Sequence, residues 1–314
     1  MRTKYMWMQI LVLAALGIGV IITLLPQLGT RRGNTPPVEI SVLLREDISE
    51  GWAYIYQGME QAAADLGGKL RMVAPEHWNS SEEQEALLQW EIDRGADVLI
   101  VAPADVQSFA RLLKDRPDIP PVVAIESPLE GAACSVLPEN YDVGQMLAQE
   151  LLKDWDSGVV VLLNSGGSNK GIDQRVEGAK AVLEAAELPV RVVNIPAPEL
   201  EKQLPFALKT DCDWVLALER TATERATEVV KMEQLSIPVY GVGITPKIAA
   251  GLEKDAIIAV VAISDYAAGY LAVENAIDIA QGKTAVSVTP PNFLVHKEDI
   301  HDTEVQKLLF PVDE

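Results

Sequence analysis

Chemistry in this chain concentrates just beyond short apolar runs. Arg45, Glu46 and Ser49 follow the run that ends at Leu44, and Trp52 opens the next helical pattern. An indole there can lay its flat apolar face against a sugar ring or a base, or pack beneath its own loop. Asp105 follows Ala102-Pro103-Ala104 at another helix start, where its carboxylate is a favoured N-cap. The segment Asn164-Ser165-Gly166-Gly167-Ser168-Asn169-Lys170-Gly171 precedes a helix bearing Arg175. Its paired glycines let backbone N–H groups approach a ligand, or simply make a turn. Glu219-Arg220 and Gly243 stand beyond two further runs, which end at Leu218 and Val242.

These residues do not add up to a reaction. The glycine segment has neither the GK[ST] ending of a phosphate-binding loop nor a G-x-G-x-x-G fingerprint, and no G-x-S-x-G nucleophile turn occurs. His77, His296 and His301 show no H-x-H or H-E-x-x-H spacing, and Cys134 and Cys212 lack a C-x-x-C partner. Two cysteines exclude a disulfide-stapled scaffold, a four-thiolate zinc site and a thiolate-held iron–sulfur cluster. A protein that is not an enzyme and carries no cofactor is expected.

With 26 Lys+Arg against 46 Asp+Glu, the chain has a formal charge of −20, the wrong sign for a nucleic-acid partner. Apolar residues at 48% and charged residues at 23% are ordinary globular usage, so a large packed core is expected rather than disorder.

The acids are unevenly placed. Residues 1–37 hold none, and carry Arg2, Lys4, Arg31 and Arg32 on either side of the apolar stretch Met6–Leu25. At about 1.5 Å per residue that stretch is long enough to cross a hydrocarbon core of roughly 30 Å. Tyr5 and Trp7 suit the headgroup level. The stretch ends in Leu24-Leu25-Pro26-Gln27-Leu28 without an A-x-A-like pattern, and no cysteine follows closely. An uncleaved, single-pass membrane anchor is therefore expected, with the acidic remainder extracytoplasmic and residues 29–37 as its linker.

From Val38 onward, strands and helices alternate. The strands expected are Glu39–Leu44, Lys69–Ala74, Asp97–Val101, Val122–Ile125, Val159–Leu163, Val190–Ile195, Trp214–Leu218, Val239–Val242 and Ile257–Ala262. Most lack polar alternation, as strands covered on both faces do. Helical patterns fit between them: Trp52–Leu66, Ser81–Arg94, Val106–Lys114, Tyr141–Leu152, Gly171–Ala186, Leu200–Lys209, Thr221–Met232, Pro246–Glu253 and Tyr266–Gln281. Strand, helix, strand at this regularity means parallel sheets built from right-handed crossovers, and the count divides into two doubly wound lobes near Leu137. Ligands of such sheets sit beyond the carboxyl ends of the strands, where the residues named above lie.

Five segments then fall in one order: Gln57-Gly58-Met59-Glu60; Asp97-Val98-Leu99-Ile100-Val101-Ala102-Pro103-Ala104-Asp105; Pro138-Glu139-Asn140-Tyr141-Asp142-Val143-Gly144; Asp173-Gln174-Arg175-Val176-Glu177-Gly178; and Ile237-Pro238-Val239-Tyr240-Gly241-Val242-Gly243. Over Val38 to about Lys297 this order resembles the periplasmic sugar-binding proteins of the ribose and galactose type, which share their domain with lactose-repressor-like regulators. The resemblance implies an α/β fold of two doubly wound parallel-sheet lobes, the type 1 periplasmic binding protein arrangement, joined by a three-strand hinge. The boundaries it implies are residues 38–136 plus 265–289 for the N-terminal lobe and 137–264 plus 290–314 for the C-terminal lobe, after the anchor and linker at 1–37.

By position, Trp52 resembles the family's stacking aromatic, Asp105 its hydroxyl-accepting carboxylate and Arg175 its ring-holding arginine. Arg45 and Ser49 fall on first-loop positions that face the ligand, and Asn140 on the first lobe crossing. The chain departs from the pattern where Glu219-Arg220 replace the usual Asn-Asp, where Gly243 replaces an Asp, and where Ser264 stands near the usual Gln. Arg45, Arg175 and Arg220 with only Asp105 and Glu219 nearby would suit a sugar acid, a sugar phosphate or another small anion. The expected function is a solute-binding protein that closes two lobes over a small polar ligand, a sugar or sugar derivative, for an ABC permease. A receptor for a sensor histidine kinase is the alternative. A Rossmann-like enzyme lacks its fingerprint, and a transcription regulator lacks a helix-turn-helix before the domain.

Overall fold

The computed structural model describes residues 36–46, 52–164, 169–302 and 305–306. The expected anchor at Met6–Leu25 and the candidate Ser49 lie outside the described residues. Among the described residues no helix is long and apolar enough to cross a membrane.

Two sheets organise the chain. In the first, β1 (Val38–Leu43) lies between β2 (Gly68–Val73) and β3 (Val98–Val101), followed by β4 (Val122–Ile125) and β5 (Cys134–Val136), every pair parallel. In the second, the order is β11 (Asn292–Val295), β10 (Ala259–Ile263), β9 (Val239–Val242), β8 (Trp214–Ala217), β6 (Val160–Asn164) and β7 (Val190–Asn194). Every residue of β3, β4, β6, β8, β9 and β10 is buried, which is why those strands read as unbroken apolar runs.

Two strands escaped the sequence reading. β5 has only three residues, Cys-Ser-Val, too few for a pattern. β11 follows Pro290-Pro291 and runs antiparallel to β10, a departure from the all-parallel expectation. It is an edge strand, where a preceding proline costs no ladder hydrogen bond.

The connecting helices are α1 (Ala53–Leu66), α2 (Ser81–Asp93), α3 (Val106–Asp115), α4 (Asn140–Asp154), α5 (Lys170–Ala185), α6 (Leu200–Leu208), α7 (Arg220–Met232), α8 (Pro246–Glu253) and α9 (Asp265–Ala280). Several start where a short polar side chain accepts a backbone N–H: Ser80, Asp105, Asn169, Thr245 and Ser264.

Three segments pass between the sheets. The chain leaves β5 through Leu137 to α4, whose Val143, Leu147 and Leu151 join the core of the second sheet. It leaves β10 at Ser264 for α9, whose Ala272, Val273, Ala276 and Ile277 lie in the core of the first sheet with Ile40, Val42 and Met59. It returns through Val288, hydrogen-bonded to Ser135 and Leu137, and Pro291, whose carbonyl accepts from Ser264, to reach β11.

Each crossing helix docks on its sheet's own helix through backbone-to-backbone approach. A Cβ on Gly58 would lie 2.1 Å from the Tyr266 carbonyl oxygen, and one on Gly269 2.0 Å from that of Ile55, locking α1 against α9. In the other lobe, a Cβ on Gly144 would lie 2.0 Å from the Arg175 carbonyl oxygen and one on Gly178 2.0 Å from that of Tyr141, locking α4 against α5. Gly144→Ala should therefore force the helix that carries Arg175 away from α4. The expected cost is about 2–3 kcal/mol, read as a lowered denaturant midpoint.

A pH-dependent contact ties β11 to α4. His296 Nε2 lies 3.0 Å from Glu150 Oε1, and its Nδ1 3.4 Å from Asp299 Oδ2. Partial burial opposes protonation, but the hydrogen bonds and charges of Glu150 and Asp299 outweigh it and raise the imidazole above its ordinary value. A raised value means that this contribution is complete below about pH 6.5 and fades as pH rises through the folded-state value. Urea midpoints at about pH 5.5 and about pH 8.5 should fall more for the native chain than for His296→Gln.

Candidate functional site

A cavity of about 110 Å³ opens between the two sheets, at the carboxyl ends of β1, β4, β8, β9 and β10. Arg45, Glu46 and Glu126 reach it from the first sheet, Arg175, Glu219 and Arg220 from the second, and Asp265 from the start of α9. Its remaining walls include Ile55, Ile125, Ile172, Val242 and Ile263.

Buried polar side chains hold the loops that present these groups. Gln84 on α2 donates to the carbonyls of Leu44 and Ala102, each at 2.8 Å, and accepts from Ala104 N at 2.9 Å. It fixes the ends of β1 and β3, and with them the start of the Arg45 loop. Thr223 on α7 does the same in the second sheet: its hydroxyl donates to Glu219 O or Val242 O and accepts from Val242 N. Gly241 is required beside it, because a Cβ there would lie 2.2 Å from Thr223 Cγ2.

Two of the three arginines are paired with carboxylates inside the cleft. Arg45 Nε donates to Glu126 Oε2 at 2.7 Å, and Arg45 Nη2 lies 3.1 Å from Glu46 Oε1. Glu46 in turn accepts from Trp78 Nε1 at 2.8 Å. Burial works against the Arg45 cation, but the charges of Glu126 and Glu46 overcome it and hold its pKa above the ordinary value. Arg220 Nη1 lies 2.5 Å from Asp265 Oδ2. Burial raises the Asp265 carboxyl even though Arg220 opposes the shift. Arg175 Nε donates to Asn140 Oδ1 at 2.7 Å, and Nη1 to Leu218 O at 3.1 Å. Burial lowers its pKa, a shift that the charges of Glu219, Glu126 and Asp265 resist.

Of the residues singled out from sequence, Arg45, Arg175, Glu219, Arg220 and Gly243 line this cavity, and Asn140 orients Arg175 from one side. Gly243 has φ +102°, a left-handed conformation that strains any side chain. Ser264 faces its own helix, accepting from Ala267 N at 3.3 Å; its neighbours Ile263 and Asp265 line the cavity instead.

Two expectations are corrected. Trp52 is 1% exposed and packs in the first-sheet core with Ile55 and Met59, so its face is not offered to a ligand. None of the described residues lining the cavity is aromatic. Asp105 caps α3, accepting from Ser108 N at 2.6 Å, and borders a separate hollow between α2 and α3. With Asp105 removed from the set and Glu46, Glu126 and Asp265 added, four carboxylates face three guanidiniums. The excess of positive charge that argued for an anionic ligand does not exist.

The sequence reading missed Glu126 and Asp265, although Glu126 immediately follows β4 and Asp265 stands two residues beyond the end of β10. The rule that found Arg45 and Glu219 finds them too when applied to every strand.

Residues 40–284 match the periplasmic binding protein domain. The chain belongs to that family. No curated protein matches it in sequence. Among solved structures, a carbohydrate transporter solute-binding protein from Agrobacterium radiobacter in complex with D-arabinose is similar at TM-score 0.80 and 17% identity, covering 88% of this chain and 100% of that one. An ABC transporter solute-binding protein from Agrobacterium vitis, bound with α-D-tagatopyranose, gives TM-score 0.78 at 18% identity over 87% and 99%. One from Bacillus halodurans, with bound myo-inositol, gives 0.74 at 20% identity over 87% and 100%. The two-sheet architecture is thus the fold of sugar solute-binding proteins of ABC transporters.

Asp105→Ala should behave as the loss of a cap. It should lower stability by about 0.5–2 kcal/mol in a denaturant titration, and the pairing of Arg45 with Glu126 should persist in a crystal structure of the variant.

Proposed function

We propose that this chain is an extracytoplasmic solute-binding protein, tethered to the cell membrane by Met6–Leu25, that closes its two lobes over a small uncharged polyol of the sugar class and delivers it to an ABC permease. The observation that carries the reading is the pairing of Arg45 with Glu126 and Arg220 with Asp265 in a cleft between two lobes. A sugar hydroxyl donates to a carboxylate while accepting from a guanidinium, so it can bridge such a pair without separating the charges. An anionic ligand at Arg45 or Arg220 would have to draw the arginine off its carboxylate, and an uncompensated buried charge costs about 3–5 kcal/mol; at Arg175 it would meet the negative charges of Glu219, Glu126 and Asp265. The aliphatic walls suit the C–H faces of a small polyol, and the known ligands of the similar proteins are D-arabinose, α-D-tagatopyranose and myo-inositol.

Closure follows because a ligand that touches Arg45 on one lobe and Arg175 on the other binds the closed state better than the open one. Nothing in this reading requires a covalent step or a cofactor.

A thermal-shift screen of neutral pentoses, hexoses and cyclitols against uronates and sugar phosphates tests it. A neutral polyol at about 100-fold above its dissociation constant should stabilise the fold by about 2.7 kcal/mol and raise Tm by roughly 5 °C or more. Arg175→Ala should abolish that shift. Stabilisation by uronates or phosphates alone overturns the reading.

A further inference from the structure

Besides the Arg220–Asp265 pair, the two lobes touch directly beside the cavity at a second, uncharged contact. The turn after β4 belongs to the first lobe and the start of α5 to the second. Ser127 Oγ donates to Asn169 Oδ1 at 3.0 Å, and the same oxygen accepts the capping N–H of Ile172 at 3.1 Å. Ser127 is 1% exposed and Asn169 7%. Next to this bond, a Cβ on Gly171 would lie 2.4 Å from the Glu126 carbonyl oxygen, so the first lobe's backbone rests where a side chain of the second would be.

The turn that makes the contact is itself constrained. Glu126 has φ +62°, a left-handed conformation uncommon for a side chain of its size, and Ser127 N donates to Ile125 O at 2.7 Å. That conformation points the Glu126 carbonyl toward Gly171 while its carboxylate holds Arg45 in the cavity wall. One residue therefore belongs to both the lobe contact and the ligand cavity. Strained non-glycine residues of this kind persist where the surrounding structure over-determines them, and they cluster at ligand clamps.

We propose that Ser127, Asn169 and Gly171 are positioning residues of the binding site, forming a latch that holds the closed geometry even without ligand, with Glu126 linking the latch to the cavity. The hydrogen bond supplies a modest bias, and the missing side chain at Gly171 makes room for it. A partly populated closed state raises affinity, because less of the ligand's binding energy goes into closing the lobes. The inference rests on the two-lobe reading but not on the identity of any ligand.

Spin labels on the full-length chain read the lobe separation directly. Glu82→Cys at the start of α2 and Glu201→Cys at the start of α6 are exposed sites on helices that follow β2 and β7, each an edge strand of its sheet. The native thiols compete poorly for label, since Cys134 is buried and burial pushes the Cys212 thiol up to about 12. Without ligand, the labelled native chain should show a short-distance closed population by pulsed dipolar spectroscopy. Ser127→Ala should lower its closed-to-open ratio about threefold to tenfold, and Gly171→Ala about tenfold or more, with Tm near that of the native chain. If Gly171→Ala melts early, Ser127→Ala decides. An unchanged ratio in a folded variant, or a native chain found only at the open distance, overturns the proposal. Because closure is read with no sugar present, failure of the latch and failure to bind a sugar are separate observations.

Discussion

A guanidinium drawn out of water must find negative charge, and that constraint shapes the cleft. Arg45, buried, and Arg175 and Arg220, half-buried, lie in a cleft between two sheets, so water solvates them less than it would at a surface. Glu46 and Glu126 neutralise the first, Asp265 the third, and the charges of Glu219, Glu126 and Asp265 support the second, which rests on Asn140 and the Leu218 carbonyl. The resulting wall is polar, with four carboxylates set among three guanidiniums and no excess of positive charge. It is lined by donors and acceptors already oriented by their mutual contacts.

Both lobes reach this arrangement with matching devices. Each has one buried polar side chain that ties two strand ends together, Gln84 in one and Thr223 in the other. Each has a crossing helix seated on its partner through a pair of glycines, Gly58 with Gly269 and Gly144 with Gly178. The second of these fixes α5, which carries Arg175, and the first fixes α9, whose first residue is Asp265. Seating the crossing helices so closely places charged groups from both sheets around a single cavity.

The fold was legible because buried parallel strands write themselves as apolar runs, and because glycine and capping residues mark the helix ends. Only β5 and β11 were hidden, one too short for a pattern and one an antiparallel edge. The site was legible in part. Arg45, Arg175, Glu219, Arg220 and Gly243 stand just after strands or at helix starts, and the geometry of such sheets brings those positions together. Trp52 and Asp105 occupy positions of the same kind but spend their side chains locally, one in the core and one on its own helix.

Amino-acid order alone determined the alternation of strand and helix, the parallel α/β fold with its two sets of strands, and the acidic balance of residues 38–314. Each of these depends on neighbours within a few residues, or on composition. Which carboxylate meets which arginine, whether an indole turns inward, and how closely one lobe's backbone approaches the other were decided only by the tertiary structure. Those outcomes join residues such as Arg45 and Glu126, or Arg220 and Asp265, that lie far apart along the chain. Their energies come from desolvation and angstrom-scale packing, which no local pattern encodes.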